Sequence, residues 1–172
     1  MQDIEKPSVP DLLFIKNLRQ MTRVVTLEWR NDPYLISTDK SKIDIGVVHG
    51  FLSKSYWAEN IPKETLLRSI ENSLCFGVYE QDKSIGFARV ISDFATFAYL
   101  ADVFILEEKR GLGLSKWLMS VIIDHPNLQR LRRFILATKD AHGLYTQFGF
   151  TPFDKPKRWM MRYDPHVYKK RT

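Results

Sequence analysis

The sequence predicts an α/β fold, mixed α+β in its arrangement, with a central mixed sheet of about seven strands and about four helices on its faces. Three observations predict it. Stretches with the two-residue period of strands alternate with stretches at helical spacing from residue 24 onward. One of them, residues 97–106, is almost continuously apolar with Asp102 as its one charge, the pattern of a strand inside a sheet. It runs into a charged, glycine-bearing turn and then a clean amphipathic helix.

Taken in order, residues 24–29 are rich in β-branched side chains and read as the first strand. Ser41, with Asp44 three residues on, opens a helix carried by Val47, Val48, Phe51 and Leu52. The turn over residues 56–62 interrupts it, and Leu66, Leu67 and Ile70 share one face of a second helix. Residues 74–79 and 85–91 are strands joined by the polar turn 80–84, and 97–106 is the interior strand. Leu114, Trp117, Leu118, Val121 and Ile122 stand at i, i+3, i+4, i+7 and i+8, and Pro126 marks where that helix has ended. Residues 134–138 are a short buried strand. Asp140 is placed to cap a helix running to Phe148, stopped by Gly149. Residues 150–153 and 158–163 read as closing strands.

A chain of 172 residues fills one core rather than two. Eleven Phe, seven Tyr and four Trp bury enough surface to exclude a disordered chain. No uncharged apolar run approaches the ~18 residues of a membrane helix, and no basic segment followed by an apolar stretch opens the chain. The lone Cys75 makes no internal disulfide and reads as a small apolar strand residue. A cytoplasmic protein without a membrane partner is expected. The four His and one Cys form no ligand set, so no metal is expected. The net charge of +6 suits nucleic acid, acidic lipid or an anionic ligand, and it gathers at Arg130, Arg132, Arg133 and over residues 155–171. Residues 1–22, with two prolines and one short apolar patch, read as an extension of disordered composition in which Met21 is a candidate start. The domain is expected over 23–164, and 165–172 as a basic tail.

The sharpest local signal is Arg110-Gly111-Leu112-Gly113-Leu114-Ser115, between the apolar strand and the amphipathic helix. Two glycines allow a tight turn and close approach of a ligand, and the unpaired N–H groups of a helix's first turn make an anion site. Arg110 and Lys116 add charge. The nucleotide-triphosphate loop is absent, and the dinucleotide fingerprint would need Gly where Lys116 stands. The plain alternative is a structural turn at a helix start.

This pattern resembles the acyl-CoA motif of the GNAT superfamily of acyl-CoA N-acyltransferases, Gln/Arg-x-x-Gly-x-Gly/Ala. Arg110 takes its first place, Gly113 its fourth, and Ser115 its last, where the family has Gly or Ala. About thirty residues on, Ala141, Leu144, Tyr145, Gly149 and Phe150 fall in register with a second family pattern, Asn-x-x-Ala-x-x-Leu-Tyr-x-x-x-Gly-Phe, with Thr138 in place of Asn. The resemblance spans about residues 24–163 and implies a GNAT-like sheet binding acetyl-CoA. It implies that the backbone over Gly111, Leu112, Gly113, Leu114, Ser115 and Lys116 holds the pyrophosphate beside Arg110. It implies that the strand from Asp102 through Val103, Phe104 and Ile105 pairs with the pantetheine arm, and that Thr138 stands at a cofactor contact.

The expected activity is acetyl-CoA-dependent N-acetylation of a primary amine on a small or amino acid-like acceptor, by direct transfer. Tyr145 stands where the family has its proton donor; without the motif it would read as a core aromatic in step with Ala141 and Phe148. Asp102 either faces a polar cleft as the base or pairs with a basic residue such as Arg89, and His142 is the other candidate base. Tyr56 and Trp57 either contact substrate, by stacking or caging a cation, or pack as a hinge. Phe94, Phe97 and Tyr99 either line the same cleft or fill core, and Glu107 and Glu108 are solvated turn charges. Two other functions compete: a non-catalytic acyl-CoA sensor, and a basic nucleic-acid-binding domain for which no helix-turn-helix or zinc spacing speaks. Monomer and homodimer are both open.

Overall fold

The computed structural model describes residues 25–168. The expected extension 1–22 with Met21, and residues 169–172 of the basic tail, lie outside the described residues. The elements are β1 (Glu28–Asn31), β2 (Tyr34–Ser37), α1 (Ile45–Leu52), α2 (Lys63–Glu71), β3 (Leu74–Glu80), β4 (Lys83–Ser92), β5 (Phe97–Ile105), α3 (Leu114–Ile123), β6 (Arg133–Leu136) and α4 (His142–Tyr145). The strands form one sheet in sequence order. Neighbours are antiparallel except β5 and β6, which run parallel because α3 carries the chain back across the sheet. The expected mixed α/β architecture with four helices is therefore present, with six described strands.

Alternation of side chains splits the core into two layers. Leu74, Phe76 and Val78 of β3 and Ala88 and Val90 of β4 meet Leu114, Leu118, Met119, Val121 and Ile122 of α3. Cys75 and Phe87 point the other way, onto Val48 and Leu52 of α1 and Leu66 and Ile70 of α2. In β5 the parity changes midway: Ala98 and Leu100 face the α3 layer, yet so does Ile105, while Phe104 faces the α1 layer. The cause is a bulge. Arg89 pairs with Ala101 and Phe87 with Phe104, so two steps on β4 span three on β5. The inserted residue turns at Asp102, whose φ is 56°.

Several elements differ from the sequence expectation. The first strand is β1 at Glu28–Asn31, later than residues 24–29, and β2 was not expected. Four residues behind Pro33 give too short a period to register. The α1 start is capped by Asp44, which accepts the Val47 N–H at 3.0 Å, while Ser41 lies in a preceding 3-10 turn (Lys40–Lys42). Asp140 does not cap the fourth helix; Thr138 Oγ1 instead accepts the Ala141 N–H at 3.0 Å. Gly149, at φ 81°, does stop the 3-10 turn that extends α4.

Residues 150–153 and 158–163 do not pair into strands. Pro152 and Pro156 remove N–H donors from any ladder there, and the segment is held by side chains instead. Phe153 stacks on Trp159 at 4.2 Å, and the Arg133 guanidinium lies 5.9 Å from the Trp159 ring centroid. Among the described residues, no helix is long and apolar enough to cross a membrane.

One buried polar group ties the α3 layer to pH. His125, 1% exposed, follows α3 and meets the Phe76 ring edge-on at 5.6 Å and Trp29 at 6.0 Å. Its Nδ1 accepts the Asn127 N–H at 3.2 Å, which fixes a neutral ring, and burial pushes its pKa below the ordinary 6.5. The unfolded chain thus takes up a proton that the folded one refuses, so stability present above about pH 6.5 is lost as pH falls toward the folded value. The thermal midpoint is expected to drop between about pH 7 and pH 5. In His125→Leu that part of the drop should vanish; identical pH curves for the two proteins would assign it to other groups.

Candidate active site

β5 and β6 are in register only from Phe97↔Arg133 to Leu100↔Leu136. Beyond Leu100, β5 continues to Ile105 with no β6 residue beside it. The chain past β6 turns its backbone donors elsewhere: the Lys139 N–H goes to the Tyr56 hydroxyl at 3.0 Å, and the Ala141 N–H goes to Thr138. The two parallel strands therefore part, and a cleft of about 760 Å³ opens between them. Residues 100–105 of β5 form one wall and residues 137–141 with Tyr145 the other, while the turn after β5 closes one end.

That turn has the geometry its glycines suggest. Gly111 and Gly113 sit at φ 81° and 78°, a region costly for other residues, and a Cβ built on either meets no atom within 4 Å. Both line the cleft, and the space beside them is open. Gly113 is the N-cap of α3 and supplies no side chain to it. The first intrahelical bond runs from the Trp117 N–H to the Gly113 carbonyl at 3.0 Å, leaving the N–H groups of Leu114, Ser115 and Lys116 outside the helical ladder. Together with the helix dipole they give this end of the cleft a positive potential. Arg110 holds the turn, its Nε donating to the Ile105 carbonyl at 3.3 Å and its Nη1 lying 3.4 Å from Glu107. Lys109 is paired with Glu80 at 2.6 Å.

The remaining expected site residues divide clearly. Val103, Phe104, Ile105, Arg110, Leu114, Ser115 and Thr138 line the cleft. Leu112 and Lys116 are exposed and their side chains lie outside its lining, so only their backbone belongs to the turn. Asp102 lines the cleft and is also ion-paired: Arg89 Nε donates to its Oδ2 at 2.7 Å, with both side chains largely buried, and Arg89 Nη1 donates to Ser73 Oγ at 3.1 Å. Both environments weighed for Asp102 are thus realised together. Tyr145 is 9% exposed and lines the wall opposite β5. Burial, then the nearby Tyr56 and Asp140, pushes its pKa up to about 12. His142 is not among the lining residues.

Tyr56 and Trp57 form both a hinge and a wall. The turn is pinned by His49 Nε2 against the Ile61 carbonyl at 2.9 Å and by the Asn60 N–H to the Ser53 carbonyl at 3.0 Å. The two rings nevertheless face the cleft, 54% and 42% exposed. Tyr99 lines it as well, whereas Phe94 packs against the α3 layer. Sequence reasoning missed further lining residues, among them Phe51, Lys139 and Tyr168. Phe51 was visible as a helical apolar position but not as cleft wall, and Tyr168 carried no signal because it lies in the tail.

The site is thus a mixed sheet that parts between two parallel strands over a glycine-turned helix start. The chain matches the family described as the acetyltransferase (GNAT) family over residues 26–150 and belongs to that family. A GNAT-family structure from Xanthomonas campestris pv. campestris is 53% identical, with a TM-score of 0.77 over 79% of this chain and 96% of that one. A Gibberella zeae protein that bears the name of an acetyltransferase is 30% identical over 138 residues, 68% of this chain and 78% of its own. A Clostridium acetobutylicum structure containing acetyl-CoA shares the fold at 13% identity, TM-score 0.56, over 76% of this chain and 94% of that one. The protein is an acyltransferase.

The Arg89–Asp102 pair predicts a stability effect separable from chemistry. Asp102→Ala leaves a largely buried guanidinium without its carboxylate and should cost about 3 kcal/mol in chemical denaturation. Adding Arg89→Met to that variant should recover part of the loss, and a double variant as unstable as the sum of the two singles would dissolve the pair as an energetic unit.

Proposed function

We propose that this chain is an acetyl-CoA-dependent N-acetyltransferase that moves the acetyl group directly to the primary amine of a small or amino acid-like acceptor. One observation carries the reading: the uncapped, glycine-turned start of α3 opens into the same cleft as the unpaired half of β5 and the Tyr145 ring. An elongated acyl-CoA fits that sequence of groups. Its pyrophosphate meets the N–H groups around Gly113, its amide-bearing arm meets the backbone of Val103 to Ile105 in place of the departed β6, and its thioester arrives near Asp102 and Tyr145.

In the reaction the neutral amine attacks the thioester carbon, a C–N bond forms and the C–S bond breaks. Holding the two reactants in one cleft supplies much of the rate. Tyr145 is the general acid: with its pKa pushed up to about 12 it stays protonated at neutral pH, and its hydroxyl donates as negative charge builds on the departing sulfur. Asp102 is the proton acceptor for the amine, its Oδ2 held by Arg89 and its second oxygen left for a proton or a bridging water. Ser115 and Thr138 stand where the family patterns have Gly or Ala and Asn, and turnover with acetyl-CoA tests whether they serve the transfer.

Acetyl-CoA at about 100 times its Kd should raise the thermal midpoint by about 5–11 °C, with ATP and NAD inert. Gly113→Val should abolish that rise, because its side chain would occupy the pyrophosphate space; a retained rise removes the turn from the donor site. Tyr145→Phe should lower kcat by about 100-fold or more at unchanged acetyl-CoA affinity, and an undiminished kcat would take the proton-donor role away from Tyr145.

A further inference from the structure

The cleft is also lined by the rings of Phe51, Tyr56, Trp57 and Phe104, to which the transfer chemistry assigns no part. Trp57 stands edge-on to Tyr56 at 4.9 Å and 82°, and it is tilted against Phe51 at 6.3 Å. Phe51 in turn stacks on Phe104 of β5 at 3.9 Å. The Tyr56 hydroxyl is held by the Lys139 N–H, and the turn carrying both rings is pinned at His49 and Asn60. Tyr99, Tyr145 and Tyr168 line the same space. Tyr168 reaches it from the tail and packs with Phe51 against the α1–α2 layer. A cleft with this lining rewards a flat apolar body through offset or edge-to-face ring contacts.

Charge gives the main alternatives no particular hold. The cations lining the cleft are Arg89, Lys109, Arg110 and Lys139, and the carboxylates are Asp102 and Asp140. Arg89, Lys109 and Arg110 are paired with Asp102, Glu80 and Glu107, which leaves Lys139 and Asp140 near balance. A polyamine or a lysine-rich peptide, bringing several ammonium groups, finds no row of free carboxylates in this lining. An acceptor with a single amine needs none. The Lys139 ammonium already lies 5.8 Å from the Tyr56 ring centroid, so one face of that ring has its cation.

We propose that the acceptor is a primary amine carried on an aromatic ring through a short linker, an arylalkylamine or aromatic amino acid-like compound, with its ring seated against Tyr56 and Trp57. The proposal rests on the acetyl-transfer reading above. Trp57 then determines specificity: it contacts the part of the acceptor that does not react.

The test follows release of the CoA thiol from acetyl-CoA by the full chain, with 2-phenylethylamine and tryptamine set against butylamine and spermidine. The aromatic amines should be preferred by about 10-fold or more in kcat/KM, the discrimination an apolar contact surface of this size provides. Trp57→Ala should raise the KM for 2-phenylethylamine by about the same factor, leave the KM for acetyl-CoA unchanged, and be largely rescued by Trp57→Phe. Equal or better use of butylamine or spermidine, or a Trp57→Ala enzyme with its preference intact, overturns the proposal. So does a protein whose melting point rises with acetyl-CoA but which acetylates neither aromatic amine. If acetyl-CoA leaves the melting point unmoved, the donor reading itself fails and the acceptor class falls with it.

Discussion

The parallel pairing of β5 with β6 lasts four residues, and the rest of the molecule is arranged around its ending. A parallel neighbour is reached only through a crossover, so the strand after α3 arrives beside the first half of β5 and not the second. The unpaired half of β5 would expose a row of backbone donors and acceptors to water. Here they line a cleft, and the same crossover that created it brings the start of α3 to one end. The backbone polarity that a closed sheet would consume internally stays open to the cleft.

The bulge at Asp102 serves this opening twice. It changes the parity of β5, so that Phe104 reaches the α1–α2 layer and supports Phe51 while Ile105 remains in the α3 layer. It also turns a largely buried carboxylate into the cleft. A buried, unpaired carboxylate there would be costly, and Arg89 from the neighbouring strand offsets the cost across the register shift. Strain at a positive φ in a non-glycine residue costs about 1–3 kcal/mol and persists only when the surroundings enforce it. The pairs on either side of the bulge do so.

The neighbouring segment 93–97 shows that an unusual sequence need not be a site. Asp93 accepts the N–H groups of Ala95, Thr96 and Phe97 and the Thr96 hydroxyl, which hold its carboxyl well below the usual carboxylate range. These bonds fix the turn from β4 into β5, with Phe94 at φ 58°. That turn is structural. The Tyr56–Trp57 turn is equally well pinned, yet its rings stay exposed to the cleft, and this contrast in exposure separates scaffold from candidate contact surface.

The sequence by itself determined the parts whose information is local. Periodicity marked α1, α2, α3 and the β3–β5 strands, because an amphipathic stripe is a property of consecutive residues. Two glycines between an apolar strand and such a helix marked the turn, because positive φ is a property of the residue itself. Tertiary structure decided everything that depends on which distant segments meet. The prolines and exposed Met160 and Met161 kept residues 150–163 out of the sheet although their alternation suited strands. The α4 start carries no side-chain cap although Asp140 stands before it, and Thr138 instead holds the preceding turn through the Ala141 N–H. The aromatic wall joins Phe51, Tyr56 and Trp57 to Tyr99, Tyr145 and Tyr168, and no spacing in the chain relates those positions. They come together because β5 and β6 part, and that parting is a property of the sheet, not of any stretch of sequence.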